Sequence, residues 1–248
     1  MSAATIVRPK TTRIVSPTIT IEDVEAVLAD GRSVLKRPTA PWAIKYHSLT
    51  LPMGPDRNRR MATDVARHLT TEELEAGLGE IERAPRDAGT VELIVRRPAE
   101  GEREVLPEGV LDLGEGLVGD RWSAHRSSRT PDGSPNRDTQ LTLMSARVVD
   151  LVAAGDRERW ALAGDQIYVD FDISEANLPA GTRLALGSTV IEVTPEPHTG
   201  CVKFSSRFGN DAHRFVNTKT HRHLRLRGLN AKVIEPGTVA TGDTIRKL

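Results

Sequence analysis

The feature that most constrains the fold is a period of two in short segments of the second half of the chain. Four side chains of residues 167–173 share one face, namely Ile167, Val169, Phe171 and Ile173. Residues 184–194 form a second such segment, interrupted by Gly187-Ser188, which is typical of a β-hairpin. Many short strands with tight turns and few helices predict a mainly β fold with a few helices (α+β), a β-barrel or rolled sheet.

Other segments of the same region show similar signals. Val91, Leu93 and Val95 alternate with their neighbours, which predicts a strand covered on one face and partly on the other. Further strands are predicted at 141–144, 231–234 and 243–246. Ser145 begins a predicted helix that ends at Gly155. The segment 126–138 is rich in Ser, Arg, Pro and Gly and is predicted to be an exposed loop.

Residues 1–89 lack this alternation and are predicted to be a helical or irregular extension of a barrel domain at 90–248. Thr70 and Glu73 have the spacing of a capping box, and the helix that follows should end before Pro85. A shorter helix is predicted at 20–31, followed by a proline-rich arm with Trp42 as its anchor. Two short helices cannot bury an independent core, so we expect the extension to pack on the barrel or on the second subunit of a homodimer.

The charge pattern excludes some partners and favours others. The chain has 34 basic and 34 acidic residues and only 4% aromatic residues, so neither nucleic acid nor an anionic membrane is an expected partner. Residues 201–248 nevertheless contain ten Lys or Arg and three acidic residues, which is typical of a solvated face or of a pocket for an anionic ligand. A single cysteine and the lack of a long apolar segment predict a cytoplasmic protein without a membrane span.

Cys201 is the first candidate for a catalytic or metal-binding residue. It ends the segment 195–201, in which two prolines and a glycine predict a rigid loop that presents side chains. His198 and Lys203 could each favour the thiolate, the form that a nucleophile or a soft-metal ligand requires. The alternative interpretation is a buried, inert cysteine that packs as a small hydrophobic residue.

Two other patterns give weaker evidence for a functional site. Residues 116–121 have neither the glycine spacing nor the lysine of a nucleotide-binding loop, so a turn between strands is predicted. His213, His221 and His223 lack the paired spacing of a zinc site, which favours solvated or locally bonded histidines.

Several motifs, taken in order and spacing between residues 116 and 243, resemble the MOSC family, which is named for the C-terminal domain of molybdenum-cofactor sulfurases. The matching motifs are GLVGDR at 116–121, QLTLMS at 140–145, GDQ at 164–166, LPAGTRL at 178–184 followed by Gly187, EVT at 192–194, PHTGC at 197–201, and RLRGLNA at 225–231 followed by Gly237 and Gly242-Asp243.

The resemblance implies a MOSC-type β-barrel with one key cysteine, here Cys201. In family members that bind the molybdenum cofactor (molybdopterin), this thiolate ligates the metal, and a role as persulfide carrier is the other family expectation. An electron-donor protein or a cysteine desulfurase would be the protein partner. Seven further residues are candidates for binding the cofactor and its pterin phosphate, namely Lys203, Arg207, Arg227, Gln140, Arg121, Asp165 and Gln166.

Two departures from the family pattern leave the function open. Residues 1–90 do not resemble the module that precedes the MOSC domain in members that reduce N-hydroxylated compounds, and Asp165-Gln166 replaces the usual Glu-Asn. Molybdenum-dependent oxidoreductase or sulfur-transfer chemistry is therefore the leading hypothesis. The alternatives are a metal-free enzyme with Cys201 as nucleophile and His198 as base, and a cofactor carrier without catalytic activity.

Overall fold

The computed structural model describes residues 66–248, and eleven β-strands are found there. Their bounds are β1 Ala88–Arg96, β2 Glu104–Leu106, β3 Glu108–Asp112, β4 Gly116–Leu117, β5 Leu141–Ser145, β6 Ile167–Asp170, β7 Arg183–Leu186, β8 Thr189–Val193, β9 Leu229–Glu235, β10 Gly237–Ala240 and β11 Thr244–Lys247. The strands predicted from the sequence all lie among them, whereas the short strands β2, β3, β4 and β10 were not predicted.

Seven of these strands close into a barrel. Their order is β11-β7-β8-β9-β5-β6-β1, and β1 pairs back with β11 through Ala88 to Thr90. Of these pairings, β5 with β6 is parallel and the others are antiparallel. The strand β2 adds to β1, and β10, β3 and β4 form a separate small sheet. The prediction of a mainly β fold with a few helices, built on a β-barrel, is confirmed.

Two apolar clusters lie on the two faces of the barrel wall. The inner cluster is built from strand residues and contains Ile167, Val169, Phe171 and Ile173 together, as their period of two predicted. Tyr168 points to the opposite side and belongs to the outer cluster, where helices cover the barrel. The barrel wall therefore packs on both faces, which explains why its strands are apolar on more than one side.

One strand departs from its predicted alternation. The pairing of β1 with β6 shifts in register between Val91 and Leu93, which marks a β-bulge. Val91 and Ile94 consequently face the inner cluster, while Leu93 and Val95 pack with the outer one. Val91 does not share a face with Leu93 and Val95 as simple alternation predicts, because the bulge offsets the period of two.

Four helices cover the outer cluster in the described part of the chain, namely α1 Thr71–Ala76, α2 Leu78–Glu82, α3 Ala146–Val152 and α4 Val202–Val216. The capping box is confirmed, because Thr70 Oγ1 accepts from Glu73 N at 3.3 Å and Glu73 Oε2 accepts from Thr70 N at 2.9 Å. The predicted single helix is divided by a turn at Gly77. The helix predicted at 20–31 and the arm with Trp42 lie outside the described residues.

The longest helix, α4, is kinked and begins at the candidate cysteine. Gly209 has φ 91° and ψ 165°, which only glycine adopts without strain, and this conformation divides α4 into two parts. No helix within residues 66–248 is long and apolar enough to cross a membrane.

Candidate functional site

The loop between β8 and α4 presents Cys201. The backbone N–H of Gly200 donates to Asn217 Oδ1 at 2.8 Å, and the Gly200 oxygen lies 3.1 Å from His213 Nε2. On the other side, Asn230 Nδ2 donates to the Glu196 oxygen at 3.1 Å. The loop is therefore fixed to α4 and to β9, as its prolines and glycine predicted.

Cys201 is the N-cap residue of α4 and is exposed. Its carbonyl oxygen accepts hydrogen bonds from Phe204 N at 2.9 Å and Ser205 N at 3.2 Å, while its side chain makes no capping bond. The thiol is thus free of the fold's own hydrogen bonding. The interpretation of Cys201 as a buried packing residue is wrong.

A cavity of about 680 Å³ opens beside this thiol, a volume within the usual range for small-molecule sites. Five of the residues predicted from the sequence line it, namely Arg121, His198, Cys201, Lys203 and Arg207. Its other wall comes from the loop predicted at 126–138, which contributes Arg126 and Arg129. The structure thus brings together the cysteine, the histidine and part of the basic set.

The wall of the cavity is strongly basic. Six arginines and Lys203 line it, against the single acidic residue Glu196. Some of this charge is neutralised by Asp120, Glu196 and Glu100, which pair with Arg97, Arg129 and Lys203 respectively. Within residues 66–248, four lining arginines have no carboxylate within 4.0 Å, namely Arg103, Arg121, Arg126 and Arg207.

Three arginines converge at Gly164. Arg97 Nη1 donates to the Gly164 oxygen at 2.9 Å. A Cβ atom on Gly164 would lie 3.5 Å from Arg103 Nη2 and 4.0 Å from Arg207 Nη1. Burial lowers the pKa of Arg103, and the charges of Arg207 and Arg97 lower it further. Asp120, which pairs with Arg97, offsets part of this repulsion, and a bound anion would offset more of it.

Arg227 does not line this cavity and instead forms a buried ion pair with Asp165. Its Nη1 donates to Asp165 Oδ2 at 2.6 Å and its Nη2 to the Ala163 oxygen at 3.0 Å. The side chains of Arg227 and Asp165 are 7% and 0% exposed. Arg227 lines a second cavity of about 370 Å³, which shares residues 196–199 with the first. Its charge is therefore already balanced by the fold.

His198 stands between this ion pair and the cavity. Its side chain is 15% exposed, and its Nδ1 lies 3.4 Å from Asp165 Oδ1. Burial, together with the charges of Arg227 and Arg97, lowers the pKa of His198 to about 3, although Asp165 acts in the opposite direction. The imidazole is therefore neutral at physiological pH.

Gln140 and Gln166 are fully buried beside β5. Gln140 Oε1 accepts from Val233 N at 2.8 Å, and Gln166 Oε1 accepts from Thr142 N at 2.8 Å. Both amides serve the hydrogen bonding of the barrel wall and, like Asp165, do not line the basic cavity. Their assignment to cofactor binding stays a prediction.

Sequence reasoning missed Arg97, Arg103 and Asp120. Arg97 directly follows β1, and Asp120 belongs to the GLVGDR motif. Both are charged residues beside predicted elements, and this position could have marked them as candidate site residues. Asp120 Oδ1 and Oδ2 each accept from the Arg97 guanidinium at 2.8 Å. Nothing local distinguishes Arg103 from other loop arginines, because its position near Arg97 and Arg207 arises only in the folded chain.

Two of the other histidines are held by contacts within the fold. His213 contacts the Gly200 oxygen, and His221 Nε2 lies 3.2 Å from Glu75 Oε2. Within the described range, no group of three or more His, Cys, Asp or Glu side chains could hold a metal ion.

Comparison with known proteins identifies similar sequences and structures. Residues 133–246 match the family model described as MOSC domain. A search of the curated proteins finds no match. Among solved structures, the YuaD protein from Bacillus subtilis is 19% identical with a TM-score of 0.48, over 64% of this chain and 94% of that one. YiiM from Escherichia coli is 20% identical with a TM-score of 0.42, over 64% and 69%.

Proposed function

Because residues 133–246 are a MOSC domain, a family associated with molybdenum-cofactor binding, we propose that this protein binds that cofactor in the basic cavity. One observation carries the proposal: an exposed thiol lies on the wall of a cavity in which four arginines have no carboxylate partner among residues 66–248. A soft-metal ligand and an anion-binding wall are thus adjacent.

The side chains present fit such a cofactor. A molybdenum centre accepts a thiolate, and Cys201 is the one cysteine of the chain. A pterin phosphate requires guanidinium or ammonium donors, which Arg103, Arg207 and Lys203 would supply. When bound, the cofactor would supply two-electron redox chemistry or a metal centre that accepts sulfur.

The chain's own residues would then have distinct tasks. Cys201 would anchor the metal, and the arginines around Gly164 would orient the cofactor through its phosphate. Arg121 and Arg126 also line the cavity and would remain available to an anionic substrate. We assign Arg227 to the support of this site, because its charge is already paired with Asp165.

The partner differs between the two chemistries. As an oxidoreductase, the protein would receive electrons from a donor protein. As a sulfur carrier, Cys201 thiolate would attack the terminal sulfur of a persulfide on a cysteine desulfurase, and the desulfurase thiolate would leave. Val202, which follows the thiol, is 82% exposed, so a partner could reach this position.

A metal-free enzyme with His198 as base is less well supported. With its pKa lowered to about 3, His198 is a weak proton acceptor near neutral pH. The proposal therefore rests on the cofactor and on Cys201, with His198 in another role.

The test is the metal and pterin content of the protein, purified from cells that make the cofactor. We expect molybdenum and oxidised-pterin fluorescence in comparable amounts, and loss of molybdenum in Cys201→Ser with the fold intact by circular dichroism. Arg103→Ala with Arg207→Ala should lower the pterin content as well. Arg214→Ala, which removes an exposed arginine from the same helix outside the cavity, is the matched control and should leave both contents unchanged.

The outcomes separate the alternatives. Turnover that requires Cys201 in protein without molybdenum or pterin would contradict the proposal and support the metal-free enzyme. Bound cofactor without reductase or sulfur-transfer turnover would indicate a carrier. Equal molybdenum content in wild type and Cys201→Ser would remove Cys201 as metal ligand.

A further inference from the structure

We propose that the buried Arg227–Asp165 ion pair holds His198 in one tautomer, so that His198 offers a hydrogen-bond acceptor to the N–H edge of a heterocyclic ligand. Asp165 and Arg227 are then positioning residues, and His198 determines specificity. The inference deepens the proposed function and rests on it for the nature of the ligand.

The first support is a pair of unsatisfied atoms. Among the described residues, neither His198 Nδ1 nor Asp165 Oδ1 has a hydrogen-bond partner, and both atoms are buried. They lie 3.4 Å apart. A buried polar atom without a partner costs about 1–3 kcal/mol, so a small ring rotation that joins these two atoms is favoured.

The direction of that hydrogen bond follows from the charges. Asp165 Oδ2 already accepts from Arg227 Nη1 at 2.6 Å, so the carboxylate is paired with a guanidinium cation. An ionised carboxylate oxygen can only accept, so His198 must donate from Nδ1. A neutral imidazole carries one N–H, and its second nitrogen, Nε2, is therefore left with a lone pair.

The ion pair is itself held firmly. Arg227 Nη2 donates to the Ala163 oxygen at 3.0 Å, and the guanidinium carbon lies 5.1 Å from the centre of the Phe204 ring. Gly228 passes close by, since a Cβ on it would lie 3.2 Å from His198 Nδ1 and 2.2 Å from the Leu143 oxygen. The carboxylate is therefore held beside the imidazole ring.

The proposed tautomer affects which ligands the basic cavity can recognise. Seven cationic side chains line the cavity and supply only donors. His198 also lines this cavity, and in the proposed tautomer its Nε2 is an acceptor that the cationic side chains do not supply. A ligand with an anionic group and a ring N–H, such as a pterin, would satisfy both kinds of partner, whereas a simple anion would leave the acceptor unused.

The test reads the tautomer directly. In full-length protein labelled with ¹⁵N-histidine, two-bond ¹H–¹⁵N spectra at neutral pH should show His198 with Nδ1 protonated and Nε2 bare, the signals being assigned by their loss in His198→Gln. An Nε2–H tautomer in the wild type would overturn the proposal without any variant.

A matched pair of variants tests the role of the ion pair. Asp165→Leu with Arg227→Met removes both charges together and should shift His198 toward the Nε2–H form. Asp211→Leu with Arg214→Met makes the same changes at an exposed pair on α4 and should not. An unchanged tautomer in the first variant would overturn the positioning role. If that variant does not fold, the wild-type tautomer decides.

Binding of pterin-6-carboxylate, followed by its fluorescence, tests the acceptor. His198→Leu should weaken binding about tenfold, while His198→Gln, whose amide oxygen can accept, should restore most of it. Equal affinity in wild type and His198→Leu would overturn the acceptor role. No binding to the wild type would contradict the proposed function and the acceptor role, whereas the tautomer experiment would still decide how His198 is positioned.

Discussion

At the residue scale, the contacts of Gly200 constrain the position of the Cys201 thiol. Its backbone lies so close to α4 that an added Cβ atom would approach Asn217 Nδ2 to 2.9 Å and Val216 Cγ2 to 3.1 Å. Asn217 also holds the Gly200 N–H, so a displacement would break that hydrogen bond as well. The position next to Cys201 is thus constrained by contact, a constraint that the local sequence indicates only as a glycine in a loop.

Gly200→Ala should therefore lower the free energy of unfolding by roughly 1–3 kcal/mol, because the loop must move to accommodate a methyl group. Urea denaturation measures this. Gly79→Ala is the control: its Cβ would meet only Arg83 Nη1 at 3.8 Å in α2, so it should stabilise by roughly 0.5–1 kcal/mol. Equal effects at both positions would show that Gly200 is not constrained by contact.

His198 gives a second consequence, in pH dependence. Its pKa falls from 6.5 to about 3 on folding, chiefly through burial, with Arg227 and Arg97 adding to the shift. As the pH falls through 6.5, the unfolded chain binds a proton that the folded protein does not bind until about pH 3. This contribution to stability is therefore complete above pH 6.5 and is lost as the pH falls toward 3.

Between pH 7 and pH 5 the wild type should lose about 2 kcal/mol of stability through His198 alone. Other groups titrate in this range, so the measurement is the difference between wild type and His198→Gln, each unfolded in urea at both pH values. That difference should change by the stated amount in favour of the variant at pH 5. A difference independent of pH would mean that His198 has the same pKa in the folded and the unfolded protein.

At the element scale, local signals predicted helices and hairpins well and missed what depends on distant partners. The capping box at Thr70 and the hairpin at Gly187 are fixed by neighbours in sequence, and both are found. The bulge in β1 arises from its pairing with β6, so the period of two could not reveal it. The predicted helix is divided at Gly77, where the backbone packs closely against Leu151. An added Cβ there would lie 2.5 Å from Leu151 Cδ2, a tertiary contact that the local sequence does not reveal.

Thr70→Ala should destabilise the protein by about 1 kcal/mol, since it removes the side-chain acceptor for Glu73 N at the start of α1. Thermal or urea unfolding of the full-length chain would measure the change. Thr71→Ala is the adjacent control: Thr71 is exposed at the first helical position, and alanine has the higher helix propensity. A loss at Thr71 as large as that at Thr70 would contradict the capping role.

At the scale of the whole molecule, the barrel was predictable and the composition of the site only in part. Short alternating segments predicted the strands, because alternation reflects the local period of a strand, and the order of the motifs added a resemblance to a barrel family. The cavity joins residues far apart in sequence, as with Arg103 and Arg207 at Gly164, and no local pattern encodes that convergence. Conversely, Arg227 was predicted to bind an anion, but the fold pairs it with Asp165, which lies 62 residues away.

The helical segment before the barrel packs against it and should stabilise it. Leu69, Leu74 and Ile81 are buried in the outer cluster with residues of α3 and α4. Exposing three such side chains costs roughly 5–9 kcal/mol, which is comparable to the 5–15 kcal/mol that stabilises a typical domain. A chain of residues 85–248 should therefore bind the apolar dye ANS and lose a cooperative thermal transition. Residues 66–248, which keep α1 and α2, should retain it, and equal melting temperatures of the two chains would show that the helices do not stabilise the barrel.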